Sequence, residues 1–198
     1  MRNDTKLKAL ILNEEESFAR AVALGVIVKR PSSAWHFLLP GMFLFDFLRR
    51  SSETRRYSDL FLFPRRLALD GAFDLLKGEE REKVFLKAEE EIGGWLITLK
   101  LHSERLLRAH MSQVTLLVDH YTRLLRTEAG SYDGLIRQAY PTRGHYETFL
   151  TELSAAEREV DQAVTAYHGG NETIRQRLQA EQAQVEALRK KEIQRSFE

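Results

Sequence analysis

HYETFLTELSAAEREVDQAVTAYH, residues 145–168, decides the fold class. Tyr146, Leu153, Val160 and Tyr167 stand seven apart, and Phe149, Ala156 and Ala163 follow the first three of them by three positions. That spacing lines one seam of a helix over three heptads, the pattern by which helix packs on helix. Gly169-Gly170-Asn171 breaks it. A more polar helix then runs from Glu172 to about Arg195, with Ile174, Leu178, Glu181, Val185, Leu188 and Glu192 on its seam. So short a connection folds the two helices antiparallel, so the C-terminus reads as an αα-hairpin. Glutamates at two seam positions leave two readings of the last helix open. It is a solvated outer helix, or a coiled-coil surface for a protein partner or a second copy in a homo-oligomer.

Upstream, one stripe joins Phe85, Ala88, Ile92, Trp95, Leu99, His102, Leu106, His110, Val114, Leu117, Tyr121 and Leu124, which predicts a single long helix over about 79–126. Residues 127–144 hold three glycines and Pro141 and read as a loop with one helical turn around 135–140. Pro64 is placed to open a short helix that ends at Gly78, since proline suits the first helical position and glycine the C-terminal cap. Residues 4–29 form a first amphipathic helix on Leu7, Ile11, Phe18, Val22 and Val26, with Glu15 in one slot of the stripe. Pro31 ends it. The expected fold is all-α: an irregular helical bundle with one long central helix and a C-terminal antiparallel hairpin. Residues 1–144 would form the bundle, with 145–198 an extension or part of the same domain.

Composition agrees. Four prolines and eleven glycines in 198 residues are too few for a sandwich that turns every ~8–12 residues. Thirty basic residues against 29 acidic ones do not suggest a protein built around nucleic acid. Cysteine is absent, which removes disulfides, thiolate nucleophiles and Cys-based metal sites. Near the N-terminus the longest apolar run, Ala9 to Leu12, falls short of the ~7–15 residues of a secretory core, and a cytoplasmic protein is expected.

No phosphate loop, nucleophile elbow or zinc-protease motif occurs. A di-metal bundle site needs a carboxylate and a histidine three or four positions apart on one helix. His36, His102, His110, His120 and His145 have no such neighbour, and between His168 and Glu172 lies the glycine break. His102 and His110 share the apolar stripe, but eight residues rise ~12 Å, too far for one ion. No metal or cofactor is expected. The alternative is a small helical-bundle enzyme or a cofactor- or metal-binding protein using His102 or His110 near Asp70, Asp74 or Glu91.

Residues 34–66 are the most unusual in composition. AWHFLLPGMFLFDFL, residues 34–48, is apolar all round, and six of the eleven phenylalanines fall between 37 and 63. Eight basic residues against three acidic ones lie between 29 and 66. Trp35, Phe37, Phe43, Phe45 and Phe47 with Arg49, Arg50, Arg55 and Arg56 would suit an anionic membrane surface. A straight span is excluded, since fifteen residues give ~22 Å of helix against ~30 Å of hydrocarbon. The same stretch also reads as bundle core or as a groove for a protein partner. The functional expectation is a non-enzymatic helical interaction or scaffold protein, resting on the inner membrane surface through residues 34–66.

Overall fold

The computed structural model describes the backbone of residues 2–28 and 42–198 and the side chains of residues 4–27 and 52–198. The fold is all-α, with seven helices and no strand among the described residues: α1 (Arg2–Val28), α2 (Met42–Leu76), α3 (Arg81–Thr98), α4 (Glu104–Leu125), α5 (Tyr132–Ala139), α6 (Arg143–Tyr167) and α7 (Glu172–Phe197). α4 is central. α2, α3 and α6 pack along it, and α1 lies between α2 and α7. Its inward stripe of Val114, Leu117, Val118, Tyr121 and Leu124 is wholly shut off from solvent. Burying each such side chain stabilises the fold by about 1.5–3 kcal/mol.

The expected helix over 79–126 is two helices. The chain leaves α3 through a Schellman turn, in which the Leu101 amide donates to the Leu96 carbonyl at 2.9 Å and the Lys100 amide to that of Ile97 at 2.9 Å. Lys100 takes the left-handed backbone conformation (φ 58°) that glycine usually supplies at this position. Ser103 then caps α4, its hydroxyl accepting from the Leu106 amide at 3.1 Å. α3 therefore folds back along α4, and the two halves of the stripe face each other instead of running on. Trp95 meets the edge of His110 with ring centres 5.3 Å apart.

Pro64 does not start a helix. It lies inside α2, which runs on to Leu76. Lacking an N–H, Pro64 leaves the Leu60 carbonyl without its α-helical donor. The stretch read as a loop contains α5, capped by the Ser131 hydroxyl accepting from the Gly134 amide at 3.2 Å. α5 buries Tyr132, Leu135 and Ile136 in the core.

α6 and α7 form the antiparallel hairpin, turned at Gly169 (φ 64°) and Gly170 (φ 76°). The hairpin lies on the bundle: α6 along α4, α7 against α1 and α5. At the α1–α7 contact the side chain of Gln184 occupies the space that a Cβ on Gly25 would take. α7 carries few apolar residues, yet it buries Val185, Arg189 and Ser196.

Candidate functional site

Glu15, the acidic residue in the first helix's apolar stripe, is buried because Arg65 reaches it from α2. Arg65 Nη1 donates to Glu15 Oε2 at 2.9 Å and Nη2 to Glu157 Oε1 on α6 at 2.8 Å. Arg189 on α7 takes Glu157 from the other side, at 2.8 and 2.9 Å, and donates to the Ser154 hydroxyl at 2.7 Å. The Tyr121 hydroxyl on α4 closes the set by donating to Glu15 Oε1 at 2.7 Å. Arg65 also lies over the rings of Phe61 (4.7 Å) and Phe18 (5.3 Å). Burial alone would favour loss of its proton, but Glu15 and Glu157 hold it firmly charged. Two arginines balance two glutamates, and the set joins five helices in one register. Arg65, part of the basic fringe in the sequence, is thus a core residue.

Beside this set lies a cleft of about 260 Å³ between α2, α3, α4, α6 and α7. That is close to the lower bound of the ~300–1,000 Å³ that small-ligand sites span. Its walls are mostly apolar, with Leu60, Phe61, Trp95, Leu99, Val164 and Leu178 among them, and Glu157 and Arg189 contribute to its lining. Two further carboxylates face it. Asp161 on α6 accepts from Gln182 Nε2 at 2.6 Å, and Glu181 on α7 accepts from the Tyr57 hydroxyl. Burial, reinforced by Glu181, pushes Asp161 up to about 7. Burial also raises Glu181, against the opposing hydrogen bond from Tyr57. Across the cleft, His110 is 6% exposed, and its Nδ1 has no hydrogen-bond partner. Burial brings the ring down to about 4, so it is neutral.

A second buried histidine is accounted for by its neighbours. His120 stacks on Phe149 with centres 4.3 Å apart, and its Nδ1 is 2.7 Å from the Tyr140 hydroxyl. Burial, then Arg65, Arg123 and Arg189, bring it down to about 3. Nearby, Tyr146 donates to Glu192 on α7, and burial pushes that carboxyl up to about 7.

The residues singled out in the sequence are dispersed. His102 is exposed in the α3–α4 turn, while His110 lines the cleft. Asp70 pairs with Lys8 at 2.6 Å and Asp74 with Lys87 at 3.6 Å, Glu91 is exposed, and none of the three lines the cleft. Among the described residues no group of three or more His, Asp or Glu is placed to hold a metal ion. The side chains of Trp35, Phe37, Phe43, Phe45, Phe47, Arg49 and Arg50 lie outside the described residues. Arg55 and Arg56 are exposed on α2 and border a shallow depression with Asp59, Arg66 and Trp95. No described helix is long and apolar enough to cross a membrane. The large apolar side chains exposed among the described residues are Leu24, Leu86, Ile97 and Tyr167. Leu86 and Ile97 share a face of α3 but stand about 16 Å apart along it, so they do not merge into a patch.

The cleft carboxylates and the Arg65 set were not among the sequence candidates. A partial signal existed: Glu15 occupies a slot in an otherwise apolar stripe, and Glu181 is one of two glutamates on the seam of the last helix. Compared with protein-family models, curated proteins and solved structures, the chain matches none.

Proposed function

We propose that this chain is a helical-bundle binding protein whose ligand is a small, largely apolar molecule held in the cleft between α2, α3, α4, α6 and α7. The observation that carries this reading is the lining: mostly apolar walls, with polar groups of displaced pKa converging from three helices. Apolar walls supply affinity, and a few placed polar groups supply orientation. Displaced pKa values gather at working sites, because burial is tolerated there for a use other than stability. The reading takes His110 from the alternative drawn from the sequence and dispenses with a metal.

A neutral apolar probe tests it. N-phenyl-1-naphthylamine should bind the intact chain saturably, at one site, with a rise in fluorescence. Val164→Trp, which fills the cleft, should abolish the rise while leaving the melting transition in place. Unsaturable uptake, or equal binding by the filled variant, would show that the cleft is not the site. The membrane-surface reading of residues 34–66 remains a proposal, and exposed Arg55 and Arg56 are its described part.

A further inference from the structure

Packing leaves two features of the cleft unexplained. The first is its charge. Glu157 is taken by Arg65 and Arg189, and Glu186 and Arg158 are exposed at the cleft's edge. Asp161 and Glu181 remain, with no ion pair to either among the described residues. Arg177, which lies over the Tyr57 ring at 4.8 Å, and Arg65 partly offset Glu181. Asp161 has no cation of its own, and two neighbouring half-buried carboxylates disfavour each other's ionisation. The second feature is independent of the first: His110 is buried to more than nine-tenths, lines the same cleft and leaves Nδ1 unpartnered. A buried nitrogen without a partner is costly, since it has given up water for nothing. In the tautomer with the proton on Nε2 it is an acceptor that lacks a donor.

We propose that the ligand is a protonated amine with an apolar body, its ammonium seated between Asp161 and Glu181 and its hydrocarbon lying along Leu60, Phe61, Leu99 and Val164. The assignment rests on the binding reading above and narrows it to one chemical class. An anion would meet two carboxylates and be repelled. A neutral alcohol would leave Asp161 without a counter-charge. An ammonium supplies that charge, and N–H donors for the carboxylates.

Calorimetric titration of the full chain near neutral pH with octylamine, 1-octanol and octanoate separates the possibilities. Octylamine should bind about tenfold or more tighter than octanol, and octanoate should not bind. In the Asp161→Asn, Glu181→Gln double variant, octylamine should fall to the level of octanol. If octanol matches octylamine on the native chain, the amine assignment fails while the cleft remains a binding site. The assignment fails in the same way if a folded double variant keeps the preference. If none of the three binds, the assignment fails together with the binding reading. The comparison of three ligands on the native chain decides the matter even if the double variant does not fold.

Discussion

Arg189 of α7 holds Glu157 of α6 through both terminal guanidinium nitrogens, at 2.8 and 2.9 Å, and Arg65 of α2 holds the same carboxylate at 2.8 Å. The C-terminal helix is therefore tied to the core by charge as well as by Val185, Leu188, Ile193 and Phe197. Two arginines can share one carboxylate only because Glu15 balances the second of them.

Breaking this set on one side should cost far more than dismantling a pair within it. Arg189→Met leaves Glu157 with half its partners in a buried place, and about 3–5 kcal/mol of stability should be lost. Adding Glu157→Leu removes the stranded charge but leaves Arg65 with Glu15 alone, so part of the loss should return. Urea denaturation of the two variants measures both. A loss under ~1 kcal/mol for Arg189→Met would mean that the ion pair is no stronger than a surface one.

Truncation before α7 follows from the same geometry. A chain ending at Gly170 lacks Val185, Arg189 and Ser196, all buried, and leaves Glu157, Tyr146 and Tyr57 without their α7 partners. The truncated chain should lose its cooperative thermal transition. A sharp melt within a few degrees of the full chain would show that α7 is an appendage, as its polar sequence suggests.

What the sequence made legible was burial, and what it concealed was continuity. The stripe from Phe85 to Leu124 marks inward positions correctly at Ala88, Ile92, Leu106, Val114, Leu117, Tyr121 and Leu124. A stripe looks the same whether its helix runs on or folds back on itself, and Lys100 turns the chain with no glycine to signal it. Pro64 misled for the opposite reason: a proline with strong helical context on both sides was absorbed into α2. The cleft was harder still. Glu181 reads as a defect in the seam of the last helix until Tyr57 arrives from α2, and that juxtaposition is tertiary.

The two buried histidines should resist protonation. His110 is held at about 4 and His120 at about 3, both below the ordinary 6.5. The unfolded chain takes up these protons below 6.5 while the folded chain refuses them. Each ring therefore contributes stability that is complete above 6.5 and is lost as pH falls through its folded value. Ring nitrogen chemical shifts should keep the neutral pattern for both at pH 5.5. An imidazolium signature for His110 there would mean that its surroundings are wetter than its burial indicates.

Asp161 works in the other direction and can be isolated from the histidines by one substitution. Its folded value near 7 lies above the ordinary 3.8, so the folded chain holds a proton that the unfolded chain has already released. The stability this contributes is complete below about 4 and is lost as pH rises through 7. The full displacement would correspond to ~4 kcal/mol. Asp161 is half-buried, and water near the carboxylate reduces this to about 1–2 kcal/mol. Asp161→Asn fixes the neutral form and keeps an oxygen to accept from Gln182. Its gain over the native chain should be near zero at pH 4 and reach that 1–2 kcal/mol at pH 8. His110 and His120 are unchanged between the two chains, so their opposite slope cancels in the difference. Denaturation midpoints for both proteins across that range give the curve. A gain that is flat with pH would place the effect in packing, and a loss at pH 8 would mean that the ionised carboxylate has a cationic partner in the folded chain.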